Sequence, residues 1–207
     1  MKNDDKVRLI CLPFAGGSRY SYRALVEELP DFIESLVIEL PGRGRRVRQP
    51  LLTNVDAMVA DILRCLAELQ RCSYALFGHS MGALLAHLVV SKLVRASEPL
   101  PRHLFLSGME APSVPPKKLV GTLPDAEFLE HLEDLGALPP ELKQDHELLE
   151  MFLPILRADI LAVESYEHRP SKPHEVRTTV VYGADDHMTR EDVTSWQAIT
   201  TVPLDVR

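Results

Sequence analysis

The chain has 207 residues, of which 45% are hydrophobic and 26% are charged, and its net charge is -7 at pH 7. This size and composition are typical of one globular domain, residues 1–207, and the acidic balance argues against nucleic acid as the main partner. No apolar run approaches membrane-spanning length, and the charged first six residues lack the apolar core of a signal peptide. We therefore expect a cytoplasmic protein in which Cys11, Cys65 and Cys72 are reduced.

Strand-like and helix-like segments alternate along the chain, which predicts an α/β fold with a mainly parallel sheet flanked by helices. Short apolar runs predict strands at 7–12, 36–40, 74–77, 103–106, 179–182 and 202–206. Helical spacing of apolar residues predicts helices at 20–29, 55–69 and 83–94, and a further helix that contains Trp196. Thr53 and Asp56 are placed to form a capping box at the start of the second helix.

The segment Gly78-His79-Ser80-Met81-Gly82 fits the pattern Gly-x-Ser-x-Gly between an apolar strand and an apolar helix. A strand, a sharp turn and a helix form a nucleophile elbow, which strains the serine backbone and raises its hydroxyl above the sheet. The two glycines leave room for the turn, because a β-carbon at either would clash with the neighbouring strand or helix. We predict that Ser80 is a nucleophile. The alternative is a glycine-rich turn in which Ser80 only caps the helix.

A serine that attacks a carbonyl creates an oxyanion, which needs two N–H donors. We predict the amide of Met81, directly after the nucleophile, as one donor. The glycine-rich loop after the first strand, residues 13–18, should supply the other, which we assign to Ala15 with Phe14 as the alternative. The glycine pair of this loop, close to Arg19, could instead bind phosphate, although the pattern Gly-x-x-x-x-Gly-Lys is absent.

The stretch from about 111 to 173 interrupts the alternation of strands and helices. Pro124 is placed to start a helix that Gly136 ends, and residues 145–166 form a longer helical pattern, which we expect to be kinked at Pro154. An insertion beyond the carboxyl ends of two strands would lie over the active site. We interpret it as a mobile lid; the alternative is a structural helical pair that only covers the sheet.

A serine nucleophile needs a histidine to take its proton and a carboxylate to hold that histidine. In this fold the chain order is serine, acid, histidine. Asp185 and Asp186 directly follow the strand predicted at 179–182, so either could be the acid, and the alternative is that both are turn or cap residues.

The histidine base should come after the strand that follows the acid, and the chain stops at Arg207. Every histidine present is a weak candidate: His187 adjoins the acid, His79 should point away from the serine hydroxyl, and His87 fits a packed core position. We therefore expect the base just past residue 207, and expect the chain as written to be nearly inactive.

Three segments together resemble type II thioesterases, the stand-alone editing enzymes of nonribosomal peptide and polyketide synthesis. They are residues 12–18, 40–46 and 77–83, with the sequences LPFAGGS, LPGRGRR and FGHSMGA. The resemblance covers essentially the whole chain and implies an α/β-hydrolase fold with a helical lid lining an acyl-binding cavity. Resemblance to hydrolases with Gly-x-x-Asp at 183–186 favours Asp186 over Asp185 as the acid.

The resemblance also implies the reaction, which is hydrolysis of acyl or aminoacyl groups from the phosphopantetheine thiol of a carrier protein. The enzyme itself would need no cofactor and no metal. We expect an acyl or peptidyl carrier protein as its partner, no nucleic acid or membrane, and a monomer. The basic cluster Arg43, Arg45, Arg46 and Arg48 follows a strand and could dock an acidic carrier; the alternative is a solvated loop with structural ion pairs.

Two other functions stay open at this stage. One is another serine hydrolase, such as a carboxylesterase or a chain-terminating fatty-acyl thioesterase, because the elbow is common to all of them. The other is a non-catalytic carrier-binding protein that keeps the fold.

Overall fold

The computed structural model describes residues 7–69, 73–114, 119–134, 136, 138, 142, 144–184, 186 and 188–207. Within them, six strands form one sheet in the order β2-β1-β3-β4-β5-β6, and every neighbouring pair is parallel. The strands are β1 (Val7–Leu12), β2 (Ile33–Val37), β3 (Tyr74–His79), β4 (His103–Ser107), β5 (Arg177–Val181) and β6 (Asp205–Val206). The mainly parallel sheet with flanking helices confirms the predicted fold class.

Within the described residues the helices follow the strands in alternation, and at least two lie between β4 and β5. They are α1 (Arg23–Glu27), α2 (Val55–Ala67), α3 (Met81–Ala96), α4 (Asp125–Asp134), α5 (His146–Glu164) and α6 (Arg190–Thr194), with 3-10 turns at Gly44–Arg46 and Ser195–Ile199. Trp196 lies in the second 3-10 turn rather than in a regular helix, and is fully buried. No helix in the described part of the chain is long and apolar enough to cross a membrane.

Strand β3 lies near the middle of the sheet, between β1 and β4. Four of its residues are buried, and ten residues of the following helix α3 are buried as well. A strand and a helix that are apolar on nearly every side belong in the core of a parallel sheet, which is covered on both faces. The turn between β3 and α3 is therefore held on a rigid, central part of the molecule.

Strand β2 lies three residues earlier than the predicted 36–40, at Ile33–Val37. The reason is that Glu39 belongs to the following loop. Its carboxylate accepts the backbone amides of Arg19, at 3.2 Å, and Arg45, at 2.9 Å. The last backbone bond of this segment to β1 runs from the Ile38 amide to the Cys11 carbonyl oxygen, so the apolar run 36–40 extends past the end of the strand.

Three other boundaries differ from the predictions. Helix α1 covers only Arg23–Glu27 of the predicted 20–29, and β6 covers only the end of 202–206. The cap of α2 is Asn54, whose side chain accepts the amide of Ala57 at 2.8 Å, so the capping box assigned to Thr53 and Asp56 is wrong. Asn is as good an N-cap as Thr or better, and it stands one residue closer to the apolar repeat.

Helices α4 and α5 have an apolar cluster of their own, built around Val120, Phe128, Leu132, Leu138, Leu142 and Leu156. Helix α5 continues through Pro154, and four of its residues are buried. Arg157 on α5 donates to the carbonyl oxygens of Gly121 and Leu123, which ties α5 to the segment before α4. The two helices thus form one packed unit, joined to the rest of the molecule by α5.

Candidate active site

Ser80 stands between β3 and α3 with φ 52° and ψ -124°, a backbone conformation that non-glycine residues rarely adopt. A β-carbon at Gly78 would overlap the carbonyl oxygen of Gly82, and one at Gly82 would lie 2.5 Å from the carbonyl oxygen of Leu12. The strained serine and the requirement for both glycines are confirmed. Such strain persists only where the surroundings enforce it, and it concentrates at functional sites.

The hydroxyl of Ser80 forms no hydrogen bond with any described residue, and the residue is half-buried. Its own amide donates to the carbonyl oxygen of Ser107 at 2.8 Å, which fixes the elbow to the end of β4. Met81 is the first residue of α3, so its amide has no acceptor within the helix. This N–H stands where the helix dipole favours negative charge, as an oxyanion donor requires. Its catalytic role stays a prediction.

The loop after β1 is a turn in which the Gly17 amide donates to the Phe14 carbonyl oxygen at 2.8 Å. Gly16 occupies the third position of this turn with φ 73°. Its amide donates to the carboxylate of Asp159 on α5, at 2.8 Å. The amides of Phe14 and Ala15 donate no hydrogen bond to any described group, so either could serve an oxyanion, and the choice between them stays open.

The predicted acid follows β5, as its position requires. Asp186 is partly buried, and its amide donates to the carbonyl oxygen of Gly183 at 3.2 Å. Its rival Asp185 and the neighbouring His187 lie outside the described residues. The assignment of Asp186 as the acid therefore stays a prediction.

His79 links the loops that surround the elbow. Its Nδ1 lies 3.1 Å from the Ser107 hydroxyl, and its ring meets that of Phe14 edge-on at 5.9 Å between centroids. Desolvation lowers the pKa of His79, and the negative charge of Asp186 acts in the opposite direction. Because β1, β3, β4 and β5 run parallel, the β1 loop, the elbow and the loop of Asp186 all follow strands at the same edge of the sheet.

The other histidines among the described residues do not supply a base for Ser80. No histidine of the described residues hydrogen-bonds to its hydroxyl. His87 is 1% exposed and packs edge-on against Trp196, which confirms its assignment to the core. His103 begins β4 and bonds to the Thr179 hydroxyl. The described residues also contain no group of three His, Cys, Asp or Glu side chains that could hold a metal ion.

The basic cluster divides into exposed and bound side chains. Arg43 is only 3% exposed and forms a bidentate ion pair with Asp159, so its guanidinium is not offered to a carrier and its assignment to docking is corrected here. Arg46 binds both carboxylate oxygens of Asp61, and this hydrogen bond raises the pKa of Arg46. Arg45 has an exposed side chain and no ion pair within the described residues.

Sequence reasoning missed Asp159, which lies at the centre of this arrangement. It is fully buried in α5, where it meets both the β1 loop and the loop that carries Arg43. One signal could have found it: a lone acid on the apolar repeat of a helix must be paired when it is buried.

Known proteins resemble the chain along nearly all of its length. A family model described as a thioesterase domain matches residues 7–207. The gramicidin S biosynthesis protein GrsT of Aneurinibacillus migulanus is 34% identical over 197 residues, which make up 94% of this chain and 77% of GrsT.

Solved structures agree with the sequence comparison. The RedJ thioesterase from the prodiginine biosynthetic pathway of Streptomyces coelicolor has a TM-score of 0.90 and 38% identity, over 97% of this chain and 76% of RedJ. YbtT, a type II thioesterase from the yersiniabactin pathway, has a TM-score of 0.88 and 28% identity, over 100% of this chain and 86% of YbtT. These similarities confirm the α/β-hydrolase fold.

Proposed function

The chain belongs to the thioesterase domain family, and on this premise we propose that it is an editing type II thioesterase. It hydrolyses acyl or aminoacyl groups from the phosphopantetheine thiol of a carrier protein, and so returns a stalled peptide or polyketide synthase to use. The observation that carries the proposal is the strained, half-buried Ser80 at the centre of the sheet, beside the N-terminus of α3, with a hydroxyl that no described residue bonds.

The reaction proceeds by acyl transfer in two steps. Ser80 Oγ attacks the thioester carbonyl while a histidine base takes its proton, and the thiol leaves with a proton returned by that base. Water, activated by the same base, then hydrolyses the acyl-serine. Asp186 orients the base and stabilises its charged form, and the amides of Met81 and Ala15 stabilise the oxyanion in both steps.

A thioester has little resonance stabilisation and a good leaving group. The protein therefore has mainly to position the acyl group and to supply the two amide donors. Met81 and the loop of Ala15 are close neighbours, since the first turn of α3 approaches the end of β1 so tightly that Gly82 admits no side chain. This proximity supports a shared role for the two amides.

Helices α4 and α5 are proposed as the lid that lines the acyl cavity. Leu156 of α5 lies directly against Gly16 in the β1 loop, which places an apolar surface beside the predicted oxyanion donors. Replacing Leu156 with Ala should extend this space and shift the preference toward longer acyl chains by several-fold in kcat/KM. An unchanged chain-length profile would count against the lid as an acyl-binding surface.

The central test uses the full-length protein and three substrates: an acylated carrier protein, an acyl-coenzyme A and a p-nitrophenyl ester. We expect the carrier-bound thioester to have the highest kcat/KM, and Ser80→Ala to lower it by at least about 10³-fold. A fluorophosphonate probe should label Ser80. Preference for the p-nitrophenyl ester would favour a carboxylesterase, and failure of Ser80 to react would exclude the serine mechanism.

Carrier docking is proposed for the exposed part of the basic loop, with Arg45 as its principal contact. Exposed apolar side chains flank it, with Tyr20 68% and Val47 60% exposed, and interfaces commonly combine an arginine with such neighbours. Arg45→Glu should raise KM for an acidic acyl carrier protein about ten-fold and leave acyl-coenzyme A unaffected.

Arg102→Glu provides the matched control, because Arg102 is exposed just before β4, at the opposite edge of the sheet. It makes the same change of net charge without altering the proposed docking surface. An equal rise in KM for both variants, or for both substrates, would refute docking at Arg45.

A further inference from the structure

The carboxylate of Asp159 makes three short hydrogen bonds in the protein interior. Oδ2 accepts the Gly16 amide at 2.8 Å and Nη1 of Arg43 at 2.6 Å, while Oδ1 accepts Nη2 of Arg43 at 2.8 Å. The side chains of Asp159 and Arg43 are 0% and 3% exposed. Helix α5, the loop that carries Arg43 and the β1 loop thus meet at one buried carboxylate.

Stability alone does not explain a buried pair of this kind. Its desolvation cost offsets most of its attraction, and apolar side chains of similar volume often stabilise a protein as well or better. The third hydrogen bond distinguishes this pair, because it is made to the backbone of the loop that carries the predicted oxyanion donor.

The third hydrogen bond fixes one particular peptide group. Residues Phe14 to Gly17 form a turn closed by the Gly17 amide, and the φ of 73° at Gly16 is that of a type II turn. Types I and II differ in the orientation of the central peptide, which here joins Ala15 to Gly16. The Gly16 N–H belongs to that peptide, so its bond to Asp159 selects the type II orientation.

The other peptide of Ala15 is fixed as well. The Phe14 carbonyl oxygen accepts the Gly17 amide, and in a trans peptide the N–H of Ala15 must then point away from the turn. Ala15 is held between two peptides whose directions are set, one by the turn and one by Asp159. An oxyanion donor is effective only when it is held in place before the reaction, since reorientation would cost part of the stabilisation.

We propose that Asp159, held in place by Arg43, is a positioning residue for the second oxyanion donor. The bonds that Asp159 makes among the described residues go to Gly16 and Arg43, not to Ser80. Asp159 acts through the Gly16 amide, which keeps the Ala15–Gly16 peptide, directly after the donor N–H of Ala15, from flipping. This inference rests on the proposed thioesterase function. It adds that a side chain of α5, in the insertion, affects the rate of the chemical step.

The test compares two double variants of the full-length protein. Arg43→Met with Asp159→Leu removes both charges and the acceptor for Gly16, whereas Arg43→Met with Asp159→Asn removes the charges and keeps an amide oxygen as acceptor. The Leu variant should lose at least ten-fold in kcat for the carrier-bound thioester, with KM changed by less than two-fold. The Asn variant should recover most of that loss. Equal kcat values for the two would overturn the proposal.

A matched control on the same helix is Arg157→Met, which breaks the bonds of α5 to Gly121 and Leu123 but leaves Gly16 untouched. Its kcat should remain within two-fold of the wild-type value once corrected for the folded fraction. A loss equal to that of the Leu variant would mean that general loosening of α5, not the orientation of the loop, is responsible.

A second readout does not depend on catalysis. In ¹⁵N–¹H spectra, the Gly16 amide should move upfield and exchange faster in the Leu double variant, and should stay near its original position in the Asn variant. If Ser80 proves inactive in the wild-type protein, the proposed function is wrong, whatever the role of Asp159. The spectra still test whether Asp159 orients the Gly16 amide, and an unchanged Gly16 resonance in the Leu variant would refute that role.

Discussion

Replacing His87 with Leu should make the protein less sensitive to acid. His87 is 1% exposed on α3, and neither ring nitrogen has a hydrogen-bond partner within the described residues. Burial, together with the smaller effect of the neighbouring charges of His174 and His168, lowers the pKa of His87 to about 4. The imidazole is therefore neutral in the folded protein at pH values where the unfolded chain already binds a proton.

The size and sign of the effect follow from this difference. In the unfolded chain the pKa of a histidine is about 6.5, so between pH 6.5 and pH 4 the unfolded state binds more protons than the folded state. The free energy of unfolding must then fall as the pH falls from about 6.5 to about 4. Above about pH 6.5, His87 does not reduce it. With 1.36 kcal/mol per pKa unit, the loss due to His87 is about 2.5 kcal/mol at about pH 4.5.

Urea unfolding at several pH values between about 7 and 4.5 measures this loss. The free energy of unfolding of His87→Leu should fall by about 2.5 kcal/mol less than that of the wild-type protein over this range. Other histidines titrate in both proteins, so only the difference between the two curves is assigned to His87. His146→Gln serves as the control, because His146 is exposed at the start of α5. Parallel curves for wild type and His87→Leu would refute the reasoning.

Three further changes have outcomes fixed by the structure. Gly78→Ala places a β-carbon onto a backbone carbonyl oxygen of α3, so it should lower the free energy of unfolding in urea by more than about 3 kcal/mol and abolish fluorophosphonate labelling. Gly183→Ala is the control, because the nearest atom to its new β-carbon would be 3.7 Å away, and it should have neither effect. Asn54→Ala should lower the free energy of unfolding by about 1 kcal/mol through loss of the α2 cap, whereas an equal loss in Thr53→Ala would show that the cap is shared. Burial raises the pKa of Cys11 to about 12, so iodoacetamide should modify the Cys11 thiol only in unfolded protein. Equal rates of modification with and without urea, measured by mass spectrometry, would contradict this prediction.

Most of the fold could be predicted from the sequence because its signals are local. The apolar runs of β1, β3, β4 and β5 stand alone between turn residues, and helical spacing marks α2, α3 and α5. The errors arose where a polar side chain decides the outcome. Glu39 lies in the loop after β2, where its carboxylate accepts two loop amides, and Asn54 caps α2 in place of Thr53.

The candidate site could be predicted in part, for a related reason. The elbow is encoded by consecutive residues, so the strain at Ser80 and the role of its two glycines could be inferred directly. Contacts between distant segments could not. Arg43 and Asp159 are separated by 116 positions, and a cluster of four arginines in sequence gave no sign that one is buried and another bound to Asp61. Pairing of buried charges depends on the tertiary structure that brings them together.

The buried ion pair has a consequence for how a substrate reaches Ser80. Lifting the middle of α5 would separate Arg43 from Asp159, and stranding such charges costs about 3–5 kcal/mol, which keeps that opened state below about 1% of molecules. Any movement that admits an acyl chain should therefore leave the middle of α5 in place, as a fixed wall beside the β1 loop.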